Sequence, residues 1–223
     1  MESLFGIVGK DFVILGADSK VARSILVYKD DEDKVCPCMI CSFIHHPSHD
    51  QSAQMQALDS HKLIAGAGPQ ADRVEFCEYI QKNLKLYQLT NGVTLNGHAA
   101  ANYVRGELAQ RLRKAPVQLN LLLGAFDVAN PNAPATAATG GVPSLYWADY
   151  FGALNKVNYG AQGYGAHFCL SILDREWREN LTLAEAKVIL THCNNELSER
   201  FLVRSGKWIY KVIDKDGIHE VQL

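Results

Sequence analysis

Hydrophobic positions along this chain follow three patterns, and each predicts a different element. At the start, Leu4 and Ile7 flank the small Gly6, and Phe12, Val13, Ile14 and Leu15 follow a polar break at Gly9, Lys10 and Asp11. Two short apolar runs around such a break predict a hairpin, with the carboxylate of Asp18 just beyond it. Residues 21 to 27 read as a bent strand, and the acidic run between Lys29 and Lys34 as a solvated turn. From about 36 to 57 no period survives, and Pro37, Pro47 and a polar tail predict an inserted surface loop. Residues 61 to 68 then predict a short strand closing on glycines.

A helical period follows. Val74, Cys77, Ile80, Leu84 and Tyr87 recur at spacings of three and four among charged residues, which predicts a helix from Pro69 or Gln70 to Asn91 and Gly92. A second amphipathic helix is expected from Gly97 to Arg113, with Ala100, Val104, Leu108 and Leu112 on its inner face. In residues 118 to 127 the leucines are too continuous for a strand with one wet face, so that strand should be central. The Pro-, Ala- and Gly-rich stretch at about 129 to 142 predicts a long hairpin loop.

Residues 144 to 154 restart the sheet, and 161 to 177 enter a helix through Gly163 and Gly165. Thr182 with Glu185 three residues later predicts a capped helix running to Phe201. The last residues predict two strands turning at Asp216 and Gly217. Strands, helix pair, strands, helix pair, strands: this order predicts one α+β domain over residues 1 to 223, with helices outside two stacked sheets, an αββα sandwich.

Composition narrows the function. A formal net charge of -2 offers no basic excess for nucleic acid or anionic membrane. No apolar run reaches membrane-spanning length and no signal peptide pattern opens the sequence, so the cytoplasm or nucleus is expected, with the six cysteines reduced.

Candidate chemistry is sparse. Cys36, Cys38, Cys41, His45, His46 and His49 offer six possible zinc ligands, but C-x-C-x2-C followed by x3-H matches no common zinc-finger spacing. The expectation is therefore no metal and no cofactor. Gly163-Tyr164-Gly165 lacks the Lys and Ser or Thr of a phosphate loop and is better explained as helix entry. His98, His167 and His192 read as packing or interface residues, and Cys77, Cys169 and Cys193 as core. Tyr79, Tyr87, Tyr103, Trp147, Tyr150 and Phe151 are candidate contact anchors.

Several stretches carry a family resemblance: MESLFGIVGKDFVILGAD at the start, KDDEDK at 29 to 34, VEFCEYIQKNLKLYQLTNG at 74 to 92, AAANYVRGELAQRLR at 99 to 113, VQLNLLLGAFD at 117 to 127, LYWADYFGAL at 145 to 154, QGYGAHFCLSILDREW at 162 to 177 and VIDKDGIHE at 212 to 220. Together they resemble the beta subunits of the 20S proteasome, and within that family the non-catalytic type-2 branch of the fourth beta position. The two expected loops fall outside the resemblance. It implies the N-terminal nucleophile hydrolase fold, αββα. It also implies a place beside other alpha and beta subunits in a 28-subunit cylinder that degrades ubiquitin-marked proteins with ATP, in cytoplasm and nucleus.

Active members of that family free a threonine whose hydroxyl attacks the peptide carbonyl, while its amine and a Lys, an Asp and a Ser manage protons and charge. Matched position by position, Asp18 stands for their Asp and Lys34 for their Lys, which here reads as a buried ion pair. Glu2 falls at the nucleophile, Tyr164 at the Ser between two glycines, and Phe201 at the Asp after the last long helix. A carboxylate cannot supply the hydroxyl, and no threonine precedes Thr90. The resemblance therefore implies a hydrolase fold without hydrolysis. Two alternatives remain open: a terminal-serine hydrolase that removes Met1 and Glu2 to expose Ser3, and metal-dependent docking through the 36 to 57 loop.

Overall fold

A computed structural model describes residues 3–19, 21–23, 26–29, 35–36, 55–128, 141–201 and 207–223. The chain opens with strands β1 (Ser3–Val8) and β2 (Val13–Asp18), followed by the short β3 (Val21–Arg23), β4 (Leu26–Lys29) and β5 (Val35–Cys36) and the hairpin β6 (Met55–Asp59) and β7 (Lys62–Ala67). Helices α1 (Gln70–Asn91) and α2 (Gly97–Arg111) lead into β8 (Asn120–Asp127), β9 (Val142–Ala148), β10 (Leu154–Val157) and β11 (Tyr159–Gly163). Then come α3 (Ala166–Glu176), α4 (Leu183–Arg200) and the closing hairpin β12 (Trp208–Asp214) and β13 (Gly217–Val221).

Two sheets stack face to face, in the strand orders β11-β1-β2-β12-β13 and β10-β9-β8-β7-β6-β5. Alternation along each strand divides the side chains between layers. Leu4, Val13, Leu15 and Ala17 of the first sheet meet Leu63, Ala65, Leu122 and Leu145 of the second. The opposite face of the first sheet, with Phe5, Ile7, Ile14 and Tyr210, packs under α3 and α4. On the far side, Ile64, Leu121, Leu123 and Tyr146 pack under α1 and α2. This is the expected αββα sandwich, and β8 is central and buried on both faces as its leucine run predicts.

Helix ends follow local chemistry. Gly92 takes the left-handed conformation, at φ 67°, and its N–H closes onto Gln88 O at 2.8 Å, which ends α1 where a glycine was expected. At α4 the Thr182 hydroxyl accepts the Glu185 N–H while the Glu185 carboxylate accepts the Thr182 N–H, the predicted capping box.

The structure corrects several boundaries. Val21–Arg23 and Leu26–Lys29 form a small hairpin with a register shift, not one bent strand. Strand β6 begins at Met55, which is fully buried, so the expected loop loses its last residues, and Cys36 lies on β5 beside Gln56. Val142 likewise opens β9. The stretch 144 to 154 that restarts the sheet ends β9 at Ala148 and reaches β10 only at Leu154: between them Asp149 Oδ1 accepts the N–H groups of Phe151 and Ala153 and folds the chain back. Residues 161 to 163 belong to β11, so helix entry starts only after Gly163. On α1 the buried face is Arg73, Phe76, Cys77 and Ile80, whereas Tyr79 and Tyr87 are exposed. Arg73 goes inward because its aliphatic stem lies over Gly66, where no side chain competes, and its Nη1 comes within 3.5 Å of Gly68 O.

Candidate functional site

Of the positions singled out in the sequence, Ser3 and Asp18 lie at one end of the first sheet, at the start of β1 and the end of β2. Ser3, Phe5 and Ile7 alternate with the inter-sheet Leu4, so Ser3 looks toward α3, not into the space between the sheets. It is 1% exposed, and its Oγ accepts the N–H of Gly165 at 3.1 Å. Its strand neighbour across β1 and β11 is Gly163, held at φ 76° in the left-handed region that glycine tolerates. Gly165 has no room for a larger residue, because a Cβ there would lie 2.7 Å from Ser3 Oγ and 2.8 Å from Ser3 Cβ. The glycine pair is therefore a turn that brings α3 down onto β1, and the Ser3 hydroxyl satisfies one of the N–H groups left open at that turn.

Asp18, at the end of β2, is 4% exposed and stands opposite Trp208 of β12. The next residue, Ser19, donates its N–H to Lys207 O at 2.9 Å, which continues the pairing past the strand end. Trp208 stacks between Phe5, at 4.6 Å between ring centroids, and Tyr210, at 6.1 Å. Tyr210 in turn covers Gly16, whose place would bring a Cβ within 2.5 Å of the ring. Burial pushes the Tyr210 phenol well above its ordinary range, and the thiols of Cys193 and Cys169 and the charge of Asp18 add to the shift. Tyr210 stays neutral and serves as a packing group.

The remaining positions separate. The Tyr164 side chain is 63% exposed at the outside of the turn. Phe201 ends α4 and packs edge-on against Phe168 at 5.7 Å, a hydrophobic contact where the resemblance would require a carboxylate. Glu2 and Lys34 lie outside the described residues, as do Cys38, Cys41, His45, His46 and His49, and of Cys36 only the backbone is described. Among the described residues no group of three or more His, Cys, Asp or Glu side chains could hold a metal ion. No helix among them is long and apolar enough to cross a membrane. Surface grooves of about 380 and 510 Å³ run along α3 and α4 and between α2 and β10, and neither is lined by Ser3 or Asp18.

The cysteines and histidines behave as their surroundings dictate. Cys77, Cys169 and Cys193 are buried free thiols, and burial pushes the Cys77 thiol up to about 12 despite the nearby Arg73. His98 is exposed and meets Asn102 at 3.1 Å, and His192 contacts Glu176 at 2.8 Å. Sequence reasoning missed the Ser3–Gly165 bond and the Phe5–Trp208–Tyr210 stack. The glycines of residues 163 to 165 signalled a turn, but nothing local marks its partner, which lies 162 residues away along the chain.

The family model described as "Proteasome subunit" matches residues 47–213. The chain is 40% identical over 220 residues to proteasome subunit beta type-2-B of Arabidopsis thaliana, covering 99% of this chain and 95% of that protein. It is 38% identical over 218 residues to proteasome subunit beta type-2 of Dictyostelium discoideum, covering 98% and 96% respectively. Proteasome subunit beta type-4 of Saccharomyces cerevisiae is 33% identical over 222 residues, covering 99% and 97%.

Proposed function

Because the chain belongs to the proteasome subunit family, with its N-terminal nucleophile hydrolase fold, we propose that it is a non-catalytic, structural beta subunit of the 20S core particle. It builds the inner-ring wall of a 28-subunit cylinder of alpha and beta subunits and supports catalytic neighbours in ATP- and ubiquitin-dependent protein degradation. It works in cytoplasm and nucleus, as a single domain with no cofactor.

One observation carries the absence of catalysis: the hydroxyl beside the nucleophile position is consumed by structure. Glu2 occupies that position and has no hydroxyl. Ser3 has one, but it is buried on the helix-facing side and holds the α3 entrance through Gly165. Of the partners that would tune a nucleophile, Asp18 and Lys34 are kept in the sequence, but two positions are taken by an exposed Tyr164 and a Phe201 packed against Phe168. A Thr or Ser nucleophile needs groups within hydrogen-bond reach that take up its proton and support its charge, and neither a Tyr pointing to solvent nor a Phe in a hydrophobic contact supplies one.

Native mass spectrometry of the tagged full chain, purified from its own cells, tests this function. A particle containing the chain with other alpha and beta subunits is expected; recovery only as a free monomer contradicts it.

A further inference from the structure

Cys169 sits in the first turns of α3 and Cys193 midway along α4, both fully buried in the layer that covers the first sheet. They touch across the helix pair, where the Cys169 thiol donates to the Cys193 carbonyl at 3.7 Å. A buried cysteine alone fills space as a small hydrophobe; two that meet across neighbouring helices also place a bond-forming pair in the core.

We propose that Cys169 and Cys193 are a dithiol that closes to a disulfide between α3 and α4 when the chain meets a two-electron thiol oxidant of the hydroperoxide class. One thiolate attacks the peroxide oxygen, the O–O bond breaks, and an alcohol leaves as a sulfenic acid forms. The second thiol then attacks that sulfur, the S–S bond forms and water departs. In sum the two thiols lose two protons and two electrons, and the hydroperoxide is reduced to alcohol and water.

Burial sets the rate. The neighbouring Cys193 and then burial itself hold the Cys169 thiol far above its ordinary range, so little of the reactive thiolate is present while the helices stay packed. The device is slow and responds to sustained oxidant. Its mechanical effect reaches the Ser3 junction. The Cys169 N–H donates to Gly165 O at 3.0 Å, and the Gly165 N–H holds Ser3 Oγ. Leu197, one turn beyond Cys193, borders the same glycine. A bond between residues 169 and 193 therefore fastens α4, the first turn of α3 and β1 together.

Peptide mapping without reductant tests this on the full chain after exposure to excess tert-butyl hydroperoxide. A peptide joining Cys169 to Cys193 is expected, lighter by two hydrogens than its separate parts, lost on reduction and absent in Cys169→Ser. Amide exchange at residues 165 to 169 should slow in the oxidised chain. The proposal is overturned if both thiols remain free to alkylating reagent after denaturation, or if they oxidise separately to sulfinic acids. Because Cys36, Cys38, Cys41 and Cys77 lie in other peptides, any bridging among them is read apart from this one.

Discussion

Two helices of this molecule, α4 and α1, are fastened to their sheets in different ways. The shorter α4 buries Ala186, Ile189, Leu190, Cys193 and Leu197, contacts spread from its first turn to its last, and a capping box closes its start. The longer α1 buries only Arg73, Phe76, Cys77 and Ile80, all in its first three turns. Past Leu84 it presents Leu86, 60% exposed, and Leu89, 72% exposed. A helix of this length extends roughly 33 Å, and its buried first half is the part that packs against β6 and β7. The difference separates periodicity from burial: a helical pattern can continue where no sheet lies beneath it. Stability comes from the half with something to cover, while the other half leaves Leu86 and Leu89 exposed.

Truncation should expose this asymmetry most strongly. Leu190→Ala, at a fully buried site of α4, should cost about 2–5 kcal/mol in urea unfolding. Leu89→Ala on the free half of α1 should change stability by less than about 0.5 kcal/mol, and equal losses at the two sites would break the comparison.

Next in size is Gly165→Ala, which forces a methyl group against Ser3 and should cost about 1–3 kcal/mol. A neutral result would mean that the β1–α3 junction is looser than its contacts indicate.

Thr182→Ala removes the capping hydroxyl of α4 and should cost about 1 kcal/mol. It should also flatten the acid limb of the stability curve. Hydrogen bonds from the Thr182 backbone and hydroxyl, then from Arg178, lower the Glu185 carboxyl to about 2 from an ordinary 4.5. A folded-state value below the unfolded one stabilises the protein above the unfolded value, and that contribution is lost as pH falls from about 4.5 toward 2. Denaturant midpoints measured across this window for wild type and Thr182→Ala should converge toward its acid end.

The smallest effect has the opposite sign. Gly106 lies within α2 with nothing within 4 Å of an added Cβ, so Gly106→Ala should stabilise the protein by about 0.5–1 kcal/mol. Destabilisation there would show that α2 bends at this residue.

Much of the fold was legible because its signals are local. The opening and closing hairpins announce themselves by apolar runs around Gly9 to Asp11 and at Asp216 and Gly217. Thr182 and Glu185 mark a helix start within four residues, and the leucines of β8 declare a strand with no wet face. The β9–β10 turn was hidden because Tyr150 and Phe151 sustain an apolar run through it, while the Asp149 side chain that makes the turn resembles any other aspartate. Arg73 read as polar surface, since nothing in α1 reveals the space over Gly66. The site followed the same division. The hairpin pattern placed Asp18 only just beyond its second strand, and its burial was expected through the resemblance, while the partner of Ser3 arrives from the far half of the chain.

We propose that this chain keeps the fold of a threonine-protease family and not its chemistry. The most direct test treats the purified assembled particle with an electrophile that captures terminal Thr or Ser nucleophiles, then measures the intact mass of every subunit. Adducts on other beta subunits and none on this chain are predicted; a stoichiometric adduct on this chain, mapped to Ser3 at a newly exposed terminus, would contradict the account.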